Sequence, residues 1–150
     1  MKHTAILCSV AALLALGGCN SGMSGQLRND LSAMTPKERD EVGRKTAAGM
    51  QRDKWPETSA YRYKQVSYRA KDDTFVIRAE LKNVSTPASV TRSQREQARQ
   101  QFAGLSRKNM CGNRKVRDLM QYGRYRFEVQ VDAQNGSRIF APVRISAADC

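Results

Sequence analysis

The chain has 150 residues, 40% apolar and 27% charged, the composition of one globular domain. That excludes a disordered tail and leaves no room for two comfortable domains. Lysine and arginine outnumber aspartate and glutamate 26 to 14, a formal charge of +12, and the single histidine is His3. If processing removes His3, the chain cannot assemble a Ser-His-Asp triad, a Cys-His pair or a usual zinc site.

Met1-Lys2-His3 is a short basic start, and residues 5–16 carry no charge. That run has the length of a signal-peptide apolar region and is too short for a finished transmembrane helix. Leu16-Gly17-Gly18-Cys19 follows with the form of a bacterial lipobox. Its small residues let the chain lie extended in a peptidase cleft, and the Cys19 thiol is the acceptor for diacylglycerol. The alternative is an ordinary signal peptide with a coincidental cysteine. The lipoprotein reading assigns residues 1–18 to the signal peptide, 19–34 to a lipidated tether and 35–150 to a single domain. Processing before Cys19 removes one cation, Lys2, and lowers the charge to +11. Acylation anchors a chain without a transmembrane helix. Asn20, rather than Asp, after the acylated residue points to the periplasmic face of the outer membrane. Cys8 leaves with the signal, so Cys111 and Cys150 remain as a pair in an oxidising compartment, and a disulfide is the default. Metal ligation by two thiols without histidine is the alternative, and no metal or cofactor is expected.

Along the remaining chain, residues 20–25 are small and polar and read as a flexible tether. Thr35-Pro36-Lys37-Glu38 combines a capping box with proline at the first helical position. The helix it starts runs to about Arg52 with a thin apolar face of Val42, Thr46, Ala47 and Met50, expected to lie on the domain rather than form its centre. Trp55-Pro56 breaks it. Residues 61–70 and 74–83 read as two strands joined at Lys71-Asp72-Asp73. Phe75, Ile77, Ala79 and Leu81 share one face, but Tyr61 and Tyr63 are out of step with Val66, Tyr68 and Ala70, which a bulge near Lys64-Gln65 would reconcile.

Thr86-Pro87 ends this hairpin, and Ser93 to Glu96 is a second capping box. Ala98, Phe102 and Leu105 then recur at helical spacing. After Cys111-Gly112-Asn113 a short helix carries Val116, Leu119 and Met120, with Gly123 expected as a left-handed cap. Tyr125, Phe127, Val129 and Val131 alternate with polar residues up to Asn135-Gly136, which suits a type I′ turn. Ile139, Ala141, Val143 and Ile145 alternate on the return. The order α-β-β-α-α-β-β predicts a two-layer α+β domain, an antiparallel sheet of two hairpins covered by helices.

The remaining carboxylate pairs, Asp72-Asp73 and Asp40-Glu41, fall in a turn and on an exposed helix face, and no phosphate loop is present, so no enzyme is expected. Arginines and lysines crowd the first hairpin and the middle helices. Outside the cytoplasm nucleic acid is not the partner of such charge; either it is a solvated surface, or it meets lipid head groups, lipopolysaccharide or acidic proteins.

Residues 110–125 hold Cys111, the Leu119-Met120 pair, Gly123 and the aromatic Tyr125, and Asp132, Gly136, Ile145 and the closing Asp149-Cys150 continue the pattern. Together with the lipobox these residues resemble the AspS/GspS-type pilotin lipoproteins of type II secretion systems. The resemblance covers about 40 residues plus the signal, and it implies a non-enzymatic chaperone. Such a chaperone binds the C-terminal helical segment of a secretin and takes it to the outer membrane. It also implies a groove beside the helices of residues 94–121 that receives an amphipathic helix. Phe102, Leu105, Val116, Leu119 and Met120 are its candidate lining, with Arg95, Arg99, Lys115 and Arg117 at the rim, although any of the apolar five can equally be core. A different class of function stays open: a lipoprotein inhibitor or immunity protein, or a binder of envelope polyanions. No small-molecule substrate is evident.

Overall fold

In the computed structural model, which describes residues 22–53, 55 and 57–150, the first buried residue described is Met23. The signal peptide of residues 1–18, Cys19, Asn20 and Pro56 lie outside the described residues. Ser24 caps helix α1 (Gly25–Ala33) by accepting from the Leu27 amide at 3.2 Å. Met23, Leu27, Leu31 and Met34 are all buried. Their spacing of four, four and three puts them on one helical stripe. Residues 23–34 therefore belong to the domain, which corrects the assignment of 19–34 to a tether.

Helix α2 (Pro36–Arg52) opens with the expected capping box. The Glu38 amide donates to the Thr35 hydroxyl at 3.3 Å, and the Thr35 amide donates to the Glu38 carboxylate at 2.8 Å. Its Val42, Ala47 and Met50 enter the main core cluster, a more central place than expected. Gly43 faces β1 (Tyr61–Arg69), and a Cβ there would sit 2.8 Å from Cδ2 of Tyr68, so glycine is what lets helix and strand approach. A short 3-10 turn and Asp73, in the left-handed region at φ 51°, lead into β2 (Thr74–Leu81).

Two helices follow, α3 (Arg92–Gly112) and α4 (Arg114–Gln121), then β3 (Arg126–Asp132) and β4 (Val143–Ile145). The α+β order expected from the sequence is present, with α1 added at its front. Within each hairpin the strands are antiparallel, and the strand order is β1-β2-β3-β4. The central pair is different. β2 and β3 run parallel from Thr74 opposite Arg126 to Glu80 opposite Asp132, so the sheet is mixed rather than wholly antiparallel. The long helical crossover of residues 82–125 returns the chain to the end where β2 began, which is the connection a parallel pair requires.

The expected bulge forms: the register shifts between Tyr63 and Gln65, which brings Tyr61, Tyr63, Val66 and Tyr68 to the helix side. Other local expectations shift. The α3 capping box is Thr91 with Gln94, two residues ahead of Ser93 and Glu96, because a threonine with a glutamine three residues on satisfies both orphan amides equally well. Arg124, not Gly123, takes the left-handed conformation, at φ 61°. Gly123 matters for closeness instead, since a Cβ there would lie 2.7 Å from the Leu119 carbonyl oxygen and from Cδ2 of Tyr125. At the last hairpin only Gly136 of the Asn-Gly pair has positive φ, 81°. Gly136 donates to the Ala133 carbonyl at 2.9 Å and Ala133 to the Ser137 carbonyl at 2.8 Å, a three-residue loop rather than a type I′ turn. On the return, Phe140 is buried while Ala141 is exposed, and β4 has only three residues, because Pro142 lacks an amide to extend the ladder.

The core gathers between sheet and helices. Phe75 lies 5.1 Å from Phe127 and 5.0 Å from Tyr125 between ring centroids, and Leu31, Val42 and Leu119 belong to the same cluster. Leu31→Ala should cost about 2–5 kcal/mol in urea unfolding, the range for a buried leucine. A leucine in a flexible tether would cost nothing measurable.

Candidate functional site: a cleft beneath α3

Helix α3 is 21 residues long and buries none of them. Its apolar stripe of Ala98, Phe102 and Leu105 faces the domain but stops short of closing on it; Leu105 remains 46% exposed. Beneath the stripe is a cleft of about 290 Å³. Phe102, Leu105 and Met110 form its roof, Trp55, Tyr61 and Tyr63 one wall, and Val116 of α4 lines it too. Ile77, Phe127 and Val129 of the sheet form its floor.

Aromatic contacts hold the wall in place. The Trp55 and Tyr63 rings are 4.7 Å apart, Tyr61 and Tyr63 5.6 Å, and Tyr61 and Phe102 5.8 Å. Trp55 Nε1 donates to the Met50 carbonyl at 2.6 Å, which fixes the indole across the end of α2. Burial, with Tyr61 alongside, pushes the Tyr63 hydroxyl up to about 12, so Tyr63 stays uncharged. At its far end α3 is stapled: Cys111 is disulfide-bonded to Cys150, with Cα atoms 5.3 Å apart. A cross-link closing a loop of this length stabilises a fold by about 3–4 kcal/mol in the chain-entropy view.

The candidate residues therefore separate. Phe102, Leu105 and Val116 line the cleft. Leu119 and Met120, 0% and 2% exposed, are core and cannot meet a partner. Arg95, Arg99, Lys115 and Arg117 are absent from the cleft lining. Arg99 pairs with Glu96 on its own helix at 3.4 Å, and Lys115 is buried. Arg117 is exposed on α4. Trp55, Tyr61, Tyr63 and Met110 were missed. The signal was available in the chain's one tryptophan and in two tyrosines at strand spacing just before the bulge.

Among the described residues, the other face of the sheet carries no helix. Arginine side chains close it over three buried carboxylates. Glu128 accepts from Arg69 at 3.0 Å, Arg144 at 3.0 Å and Gln130 at 2.7 Å. Asp132 accepts from Arg78 and Arg138, each at 2.6 Å, and Glu80 from Arg62 at 2.6 Å. The guanidinium of Arg69 holds the Glu128 carboxyl down at about 2, against the effect of burial, with Gln130 and Arg144 adding to it. For Asp132, burial alone would raise the carboxyl, but Arg138 and Arg78 outweigh it and the net shift is downward. Arg62 likewise lowers Glu80 against burial.

Among the described residues, no group of three or more His, Cys, Asp or Glu is placed to hold a metal ion, and no helix is long and apolar enough to cross a membrane. Comparison with family models, curated proteins and solved structures found no match to this chain.

Because the folded state lowers these carboxyl groups, it favours their ionised forms. The stability they contribute is complete above the ordinary carboxylate range and falls as pH drops through it. Urea stability should therefore decline from about pH 4.5 towards pH 2, the interval between the ordinary and the shifted value of Glu128. Glu128→Gln should cost about 2–3 kcal/mol at pH 7, the worth of a hydrogen bond to a charged group, and flatten that decline.

Proposed function

We propose that the protein is a lipid-anchored chaperone of the pilotin kind, non-enzymatic, whose cleft beneath α3 takes the apolar face of a partner helix. The observation that carries this reading is the combination of an aromatic-walled cleft with a roof helix that buries none of its residues. Large apolar side chains left partly exposed at one place are the mark of a docking site. A cleft of about 290 Å³ accepts anchor side chains from a helix lying across its mouth rather than the whole helix, whose diameter is about 10 Å. Leu105 and Phe102 on one side and Tyr61 and Tyr63 on the other suit anchors spaced one turn apart.

The resemblance of residues 110–150 and of the lipobox to pilotin lipoproteins makes the C-terminal segment of a secretin the partner, and acylation at Cys19 the means of delivery to the outer membrane. The disulfide supports the same reading, because it fixes α3 directly beside the half, Phe102 to Met110, that roofs the cleft. The test is binding of a secretin C-terminal peptide from the same organism to the mature chain. Leu105→Asp should reduce affinity by at least tenfold with an unchanged circular dichroism spectrum, since Leu105 is the exposed member of the stripe. Leu119→Asp is the wrong probe, because it places a charge in the core and unfolds the domain. Absence of binding by the unmodified chain removes the pilotin reading.

A further inference from the structure

The described chain begins beside a buried carboxylate. The Met23 amide donates to Asp118 Oδ2 at 2.8 Å, and the same oxygen takes Arg28 Nη2 at 3.0 Å and Nε at 3.2 Å. Asp118 is nearly buried, with 6% of its side chain exposed, and α4 holds it in place. Residue 23 is thereby fixed to α4, four residues from Cys19. Four residues span at most about 14 Å. A lipid on Cys19 therefore leaves the domain next to this part of α4.

That neighbourhood is basic. A Cβ on Gly22 would lie 3.9 Å from Cβ of Arg114, so the chain passes directly over it. Arg114 and Arg117 are exposed, three residues apart on the helix, and so share a face with Asp118. Neither pairs with a carboxylate among the described residues, whereas Asp118 is already matched by Arg28. The Arg28 guanidinium also sits 5.3 Å over the Tyr122 ring, which steadies it while 37% of its side chain stays exposed.

We infer that Arg114, Arg117 and Arg28 form a membrane-facing surface that lays the domain on anionic lipid head groups around its own anchor. The occupant follows from two points: on the lipoprotein reading the acylated Cys19 lies within about 14 Å of this face, and the face carries positive charge unmatched among the described residues. Arginines near an anionic bilayer surface contribute about 1 kcal/mol each, or about fivefold in partitioning. The inference rests on the lipoprotein reading.

Two measurements keep the two apart. Acyl labelling of the full chain against Cys19→Ala in cells reads the anchor alone, and equal labelling overturns the lipoprotein reading. Sedimentation of the mature chain carrying Cys19→Ser, hence unacylated, with vesicles reads the face alone. It should partition into vesicles of phosphatidylcholine with 30% phosphatidylglycerol, weaken with added salt, and stay free of pure phosphatidylcholine. Arg114→Gln with Arg117→Gln should reduce that partitioning about 25-fold, and Lys71→Gln with Arg92→Gln, elsewhere on the domain, by less than about twofold. Equal losses in the two double variants, or no partitioning into the anionic vesicles, overturns the proposed surface.

Discussion

Glu128 sits in the middle of a sheet face that no helix of the described residues covers, yet it is only 2% exposed. Arg69, Arg144 and Gln130 bury it, and their aliphatic stems do for this face what a second helical layer does in a three-layer fold. The arrangement repeats along the sheet at Asp132 and Glu80. Each carboxylate gathers two cations that would otherwise repel one another, two arginines at Glu128 and at Asp132 and Arg62 with Lys64 at Glu80, so part of the large positive charge of this chain is structural. The four helices of the described residues are then free to lie on the same side.

That side cannot use all of them equally. α1, α2 and α4 supply Leu31, Val42, Ala47, Met50 and Leu119 to the core. The sheet is narrow, and its last strand has three residues. α3 arrives at a surface already filled and rests on its edge through half-buried contacts such as Phe102 against Tyr61 and Phe140. The cleft follows from this surplus. It lies where a fourth helix meets a sheet that three helices have already covered, and the Cys111–Cys150 bond keeps the helix attached where burial does not.

Much of this was legible in the sequence because period and punctuation agree there. Phe75, Ile77 and Ala79 alternate and all point inwards; the Thr35 capping box and the break in parity at Lys64 mark a helix start and a bulge where each occurs. Helix α1 escaped because its apolar positions are few and its flanks, Ser24 and Gly25, look like a linker, although Met23, Leu27, Leu31 and Met34 already have helical spacing. The parallel pairing of β2 with β3 escaped because strand direction depends on how a crossover of some forty residues folds back, and no local pattern encodes it. At the site, the roof was readable as a helical stripe. Leu119 and Met120 were not separable from it, since core and docking residues are chemically the same and only burial divides them. The wall was harder, because Trp55 and Tyr63 meet only once α2 has ended and β1 has turned back.

Helix α4 connects these features, although it is only eight residues long. One side gives Leu119 and Met120 to the core, another gives Val116 to the cleft, and a third holds Asp118, which fixes the start of the domain. Asn113 caps it by accepting from the Lys115 amide at 3.0 Å and the Val116 amide at 3.2 Å, directly after the end of α3. The roof of the cleft, its side and the point where the chain enters the domain are thus tied to one rigid element. Asp118 receives the Met23 amide and Arg28 on the side of the helix away from Val116. An orientation imposed at Asp118 is carried to the cleft at Val116 within one turn of the same helix.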